Sequence, residues 1–173
     1  MYLDADILTV HSLMNIFFEF AIQKQDLAAV QDWSVKTEKG SAEKLGSPDS
    51  TFNAGLLVIK PNASVFSRLI RTLHSKKVAY AFDKAEQGWL NAVYKAPGSW
   101  HKLDFLNNVP TALYYTDPRL WNEVKPKIKV LHYSYYKPFL GVHKGKRNEV
   151  NDIYNKFKTE MKTQMLLQNA TND

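Results

Sequence analysis

Cysteine is absent from the 173 residues, which excludes a disulfide framework, a thiolate metal site and a cysteine nucleophile. Glycine and proline are scarce, seven of each, so collagen-like and low-complexity architectures are excluded as well. No apolar run is long enough to span a bilayer. The first ten residues lack the basic start, apolar run and small-residue cleavage site of a secretory leader. Neither an arginine-rich tract nor an RNP or helix-turn-helix pattern occurs, which argues against a nucleic-acid partner.

Hydrophobic residues make up 45% and aromatics 13% of the chain, enough for one folded domain with a substantial core. Net charge is +6, from 23 Lys and Arg against 17 Asp and Glu. That surplus favours an anionic partner. The basic residues are spread out, denser at 125–129 and 143–147, and a nucleotide-type ligand needs only a few of them.

Tyr2 and Leu3 read as a strand that ends at Asp4-Ala5-Asp6. "ILTVHSLMNIFFEF" follows as a short strand or turn leading into a helical turn, and "LAAVQD" as a strand. Residues 34–51 are polar with Gly40, Gly46 and Pro48, the composition of a long surface loop. "FNAGLLVIKPN" returns to strand character and Pro61 stops it. Asn62 then caps a helix whose apolar stripe is Val65, Phe66, Leu69, Ile70 and Leu73. "AEQGWLNAVYKA" is a shorter helix burying Leu90, Val93 and Tyr94. "WHKLDFLNNV" and "TALYY" look extended, "KIKVLHYSYY" is a strand, and 149–169 has helical spacing. The sum is an α/β domain with a mixed central sheet, mainly parallel with antiparallel additions, flanked by helices.

Four stretches carry chemistry. If the first strand continues through Asp6, Asp4 and Asp6 point to one side and converge on a cation; two acids at a strand end are otherwise solvated. His132, directly after an apolar strand, is either a hydrogen-bonded structural residue or the nitrogen of an O,O,N site suited to Mn²⁺ or Mg²⁺. Lys137 is a surface turn or a point charge for phosphate. "FNAG" is a strand start with Asn53 capping a turn and Gly55 relieving crowding, or Asn53 offers its amide to a sugar hydroxyl. Asp83, Glu86 and Gln87 in "DKAEQGWLN" cap a helix and match its dipole, or they form a sugar-binding cluster.

The order YLDAD, FNAG, D-x-x-EQG and H-x₄-KPF resembles the glycogenin-like retaining glycosyltransferases of family 8, which have the GT-A fold. The matching stretches are 2–10, 52–61, 83–91 and 130–139. This resemblance implies a Rossmann-like α/β domain over 1–145, followed by a helix and tail over 146–173. It implies Asp4, Asp6 and His132 as ligands of Mn²⁺ (or Mg²⁺). Asp4, Ala5, Asp6, Asn53, Ala54, Gly55 and Lys137 would bind nucleotide and substrate, with Lys137 on the leaving diphosphate. Asp83, Glu86 and Gln87 would act on the donor sugar. The implied reaction is transfer of a hexose from a UDP-sugar, with retention, to a carbohydrate, protein or lipid acceptor; a homodimer is compatible with it, as is a cytoplasmic or Golgi location.

Glu86 stands where the family most often has Asp, the His-to-Lys spacing is one residue shorter than in glycogenin, and Phe139 replaces the usual Trp. Ser134, Tyr135 and Tyr136 occupy the turn between His132 and Lys137. Family members carry a nucleotide-binding βαβ region ahead of DxD, which this chain lacks before Met1. It therefore reads as the carboxyl two-thirds of such a domain, with weak UDP-sugar binding of its own. The alternative is a non-catalytic module that binds an acceptor or a partner.

Overall fold

The computed structural model describes residues 1–33, 51–134, 137–140 and 148–170, with backbone alone at 169 and 170. The loop expected over 34–51 falls outside them except for Thr51, as do Tyr135, Tyr136 and the basic run 143–147. Seven strands are described: β1 Tyr2–Leu3, β2 Ile7–Thr9, β3 Leu27–Gln31, β4 Phe52–Ile59, β5 His101–Leu103, β6 Val109–Pro110 and β7 Val130–His132. Six helices accompany them: α1 Met14–Ala21, α2 Ala63–Ser75, α3 Ala85–Val93, α4 Leu113–Thr116, α5 Pro118–Val124 and α6 Glu149–Ala170. None of the described helices is long and apolar enough to cross a membrane.

The strands form two sheets, β1-β4-β3-β5 and β2-β7-β6. The mixed character is as expected, but its balance is not. β1 and β3 both run antiparallel to β4, and β2 runs antiparallel to β7; the parallel pairs are β3 with β5 and β6 with β7. An apolar run such as Leu56–Val58 is buried on both faces, and burial does not set strand direction.

β3 is that kind of strand. Ala28 and Val30 join Ile16, Phe20, Leu56, Val58 and Val130 in one core, while Leu27 and Ala29 join Phe52, Ala54, Leu57 and Tyr94 in another on the opposite face. A third core gathers Val109, Leu113, Trp121, Leu131, Tyr133 and Val150 around β7, α5 and α6. In β4 the buried faces switch between Ala54 and Leu56. Val30 pairs with Asn53 and Ala29 with Leu57, so Ala54, Gly55 and Leu56 bulge out of the β3 ladder.

Asn62 caps α2 as expected, accepting hydrogen bonds from Ser64 N at 3.0 Å and Val65 N at 3.3 Å. Its apolar stripe is only half used. Leu69 packs on the core beneath, while Phe66 is 65% exposed and Ile70 and Leu73 also face outward. "TALYY" is a correction: Leu113–Thr116 is a helical turn, not an extended segment. It leads into α5, which the hydrophobic pattern did not reveal. Asp117 caps α5 by accepting from Leu120 N at 2.9 Å, and Pro118 sits at its first position.

Candidate metal centre

β1 stops at Leu3, and the chain turns instead of continuing extended through Asp6. Asp4 N donates to Gly55 O at 2.9 Å and Ile7 N to Asp4 O at 3.2 Å, closing the turn. The alternation expected of an extended segment therefore does not bring the two acids together; the turn does. Asp6 O accepts from Tyr133 N at 2.8 Å, and Ile7 pairs with His132 across β2 and β7. Asp4, Asp6 and His132 consequently present ligand atoms within 4.8 Å of one another.

His132 Nε2 lies 3.3 Å from Asp6 Oδ1. Two donors each about 2.1 Å from one octahedral ion stand about 3 Å apart, so this pair suits adjacent positions on a small divalent cation. Two carboxylates and an imidazole also suit Mn²⁺ or Mg²⁺ by donor type. Burial pushes the His132 imidazole below its ordinary range, although Asp6 and Asp4 pull it upward. The ring is thus neutral near pH 7 and keeps a lone pair for a metal. Burial alone would raise the Asp6 carboxyl; the Lys137 hydrogen bond and the neighbouring positive charge overcome that and hold it below its usual range. Tyr2 Oη donates to Asp4 Oδ1 at 2.6 Å, and that bond leads the causes that push the phenol up to about 12.

Gly55 does not contact a ligand through a side chain; it makes room. A Cβ there would lie 2.4 Å from His132 Cε1, 2.7 Å from Nδ1 and 2.9 Å from Asn53 Oδ1. Ala54 contributes its backbone, whose N–H donates to Gln87 Oε1 at 3.0 Å. Ala5 is exposed in the turn.

Beside Asp4, Asp6 and His132 lies a hydrogen-bonded set centred on Asp32, which sequence reasoning passed over. Asp32 Oδ1 accepts from Asn53 Nδ2 at 3.2 Å, and Oδ2 accepts from Gln87 Nε2 at 3.1 Å with Lys84 Nζ 3.6 Å away. Asn53 Oδ1 in turn accepts from Gly55 N at 2.9 Å and from the buried Asn108 at 2.8 Å. The signal was available: Asp32 ends a buried strand in "LAAVQD", just as Asp4 and Asp6 follow theirs. Asn108 carried none.

α3 is stitched to β4 at two places. Gln87 bonds Ala54 N, while Asn91 accepts from Phe52 N and donates to Phe52 O, both at 2.8 Å. Four residues of helix rise about 6 Å and two residues of strand about 6.6 Å, so an i,i+4 pair meets an i,i+2 pair in register. Gly88 lets the preceding segment cross close by, because a Cβ there would lie 2.3 Å from Ala81 O. Ala85 bends into the helix at φ 45° and ψ −132°. Asp83 and Glu86 stand exposed outside the Asp32 set, although the charge of Glu86 adds to the rise at Tyr2.

Residues 1–141 match the sequence profile of the family described as Glycosyl transferase family 8. The chain is similar to a glycogenin of Komagataella phaffii, 27% identical over 168 residues, covering 88% of this chain and 36% of that protein. It is also similar to glycogenin-1 of Caenorhabditis elegans, 27% identical over 154 residues, covering 84% of this chain and 30% of that protein. The chain thus spans about a third of the length of these curated relatives. Among solved structures, the glycosyltransferase GlyE of Streptococcus pneumoniae superposes with a TM-score of 0.56 at 21% identity, over 90% of this chain and 38% of that one. The galactosyltransferase LgtC, solved with donor and acceptor sugar analogs, gives 0.55 at 22% identity, over 90% of this chain and 58% of that one. At these identities the two structures establish the GT-A fold.

Proposed function

The chain belongs to glycosyl transferase family 8, and from that premise we propose that it moves a hexosyl group from a UDP-sugar to an acceptor hydroxyl, with retention at the anomeric carbon and with Mn²⁺ or Mg²⁺ bound. The observation that carries this reading is the convergence of Asp4, Asp6 and His132 from opposite ends of the matched region. These three would hold the ion, which when bound supplies positive charge beside the departing diphosphate.

The chain's own groups have the remaining roles. Lys137 donates to the diphosphate as it leaves. Asn53 and Gln87, each fixed by Asp32, orient the donor sugar, and Asp83, in the exposed turn before α3, and Glu86, in its first turn, face its reacting carbon. The bond from anomeric carbon to diphosphate oxygen breaks with its electron pair leaving on UDP; the acceptor oxygen forms the new bond and its proton passes to the departing diphosphate oxygen. Under this reading 1–145 is the carboxyl two-thirds of the transferase domain and 146–173 its C-terminal extension, whose helix α6 is tied to the domain by Val150 and by Tyr133 Oη donating to Val150 O.

The test is isothermal calorimetry of the full chain with Mn²⁺ and UDP, followed by a UDP-hexose panel with the product anomer read by NMR. Weak, Mn²⁺-dependent binding that is lost in Asp6→Asn, with a product of retained configuration, is the expected result. UDP binding indifferent to Mn²⁺ and to Asp6→Asn would overturn the reading.

A further inference from the structure

The metal centre already carries a cation of the protein's own. Lys137 Nζ donates to Asp6 Oδ2 while Oδ1 of the same carboxylate faces His132 Nε2. Asp4 and Asp6 offer oxygens within 4.8 Å of each other, and two acids so close are costly unless a positive charge stands beside them. Among the described residues, Lys137 is the lysine or arginine that contacts either acid. Its ammonium therefore fills the electrostatic role of a bound ion.

Lys137 is also built to leave. Its side chain is 37% exposed against 12% for Asp6, so it reaches in from the mouth of the site. Its carbonyl accepts from Leu140 N at 3.0 Å in the turn Pro138–Leu140, and the Phe139 ring of that turn lies 6.4 Å from the ring of Tyr154 in α6. The flexible four-carbon stem of lysine lets the ammonium swing from one oxygen partner to another. A divalent ion on Oδ1 and an ammonium on Oδ2 of one carboxylate repel each other, and a diphosphate is a stronger partner for the ammonium than a carboxylate already shared with a metal.

We propose that Lys137 is a resident counter-ion that competes with the metal at Asp6 and moves to the diphosphate when metal and nucleotide arrive together. Metal alone is then held weakly, and each ligand strengthens the other. This rests on the reading of Asp4, Asp6 and His132 as a divalent-cation site.

The test is a Mn²⁺ titration of the full chain, following free ion by electron paramagnetic resonance, for wild type, Lys137→Met, Lys137→Arg and Asp6→Asn, each with and without UDP. Lys137→Met is expected to bind Mn²⁺ alone about three- to tenfold more tightly than wild type, and to lose most of the enhancement that UDP gives wild type. Lys137→Arg, which keeps the charge, should match wild type for Mn²⁺ alone. If Lys137→Met binds Mn²⁺ alone no better than wild type while Asp6→Asn abolishes binding, the counter-ion role is wrong and the metal site stands. If wild type and Lys137→Met both fail to bind Mn²⁺, the metal reading falls and this proposal with it.

Discussion

Gly55 lies directly beneath the His132 ring: a methyl group on it would stand 2.4 Å from Cε1 and 2.7 Å from Nδ1. Gly55→Ala must therefore displace the imidazole or the bulge in β4. Crowding of this kind costs about 1–3 kcal/mol, which a urea denaturation series will read. Mn²⁺ affinity should fall at the same time, since the ring loses its place beside Asp6. An unchanged affinity would remove His132 from the ligand set.

Ala85 offers a gain in stability. Its φ of 45° and ψ of −132° belong to backbone space that glycine reaches without a Cβ clash. Residues held there cost roughly 1–3 kcal/mol, so Ala85→Gly should raise stability by about 1 kcal/mol. A lower urea midpoint for the variant would show that the Cβ contributes packing that outweighs the strain.

Asp32 accepts from both Asn53 Nδ2 and Gln87 Nε2, a task for a carboxylate rather than an amide. Asp32→Asn sets an NH₂ group against one of those donors, leaving Asn53 or Gln87 free to turn. Sugar transfer should fall by roughly 10²-fold, the scale of a misplaced substrate-positioning group. Mn²⁺ affinity should stay at its wild-type value, because Asp32 lies outside the ligand set. Equal losses of both would mean that the substitution disturbs the fold.

Glu149 predicts a pH dependence. Its carboxyl is held below the usual range first by the hydrogen bond from Lys125 and next by that from the indole of Trp121, at 2.6 Å and 2.9 Å. A carboxyl depressed in the folded state contributes stability above its unfolded pKa and loses it as pH falls through the folded value. Glu149→Gln should therefore cost about 1 kcal/mol or less at neutral pH. It should also flatten the fall of the urea midpoint below about pH 4.5. A parallel acid limb in wild type and variant would assign that loss to other carboxyls.

What could be read in advance followed from local chemistry. Asn62 and Pro61 fixed the start of α2, and the apolar spacing of 149–169 located α6. The ordered motifs named Asp4, Asp6 and His132, whose ligand atoms lie together at the candidate metal site. Strand direction was not readable, because Leu56 and Val58 are buried whichever way a neighbour runs. The turn at Asp4 depends on pairing with Gly55, more than fifty positions away, and the bulge at Gly55 on pairing with Ala29 and Val30 of a different strand. Asp117-Pro118 did carry the start of α5, in a helix too short for hydrophobic periodicity to register. Half of the α2 stripe stayed outward because amphipathicity marks a face suited to burial without supplying its cover.

The double attachment of α3 to β4 works as a vernier. Gln87 and Asn91 each engage a β4 backbone group two residues apart, so a slide of the helix by one residue would break both contacts together. Glu86, between those anchors and the bend at Ala85, is thus held at a set height against the strand. Under the proposed function, any effect of that position on sugar choice would come from the length and charge of its side chain, not from a shift of the helix. The methylene by which Glu exceeds Asp is a change the scaffold can register, because the ruler beneath it does not move.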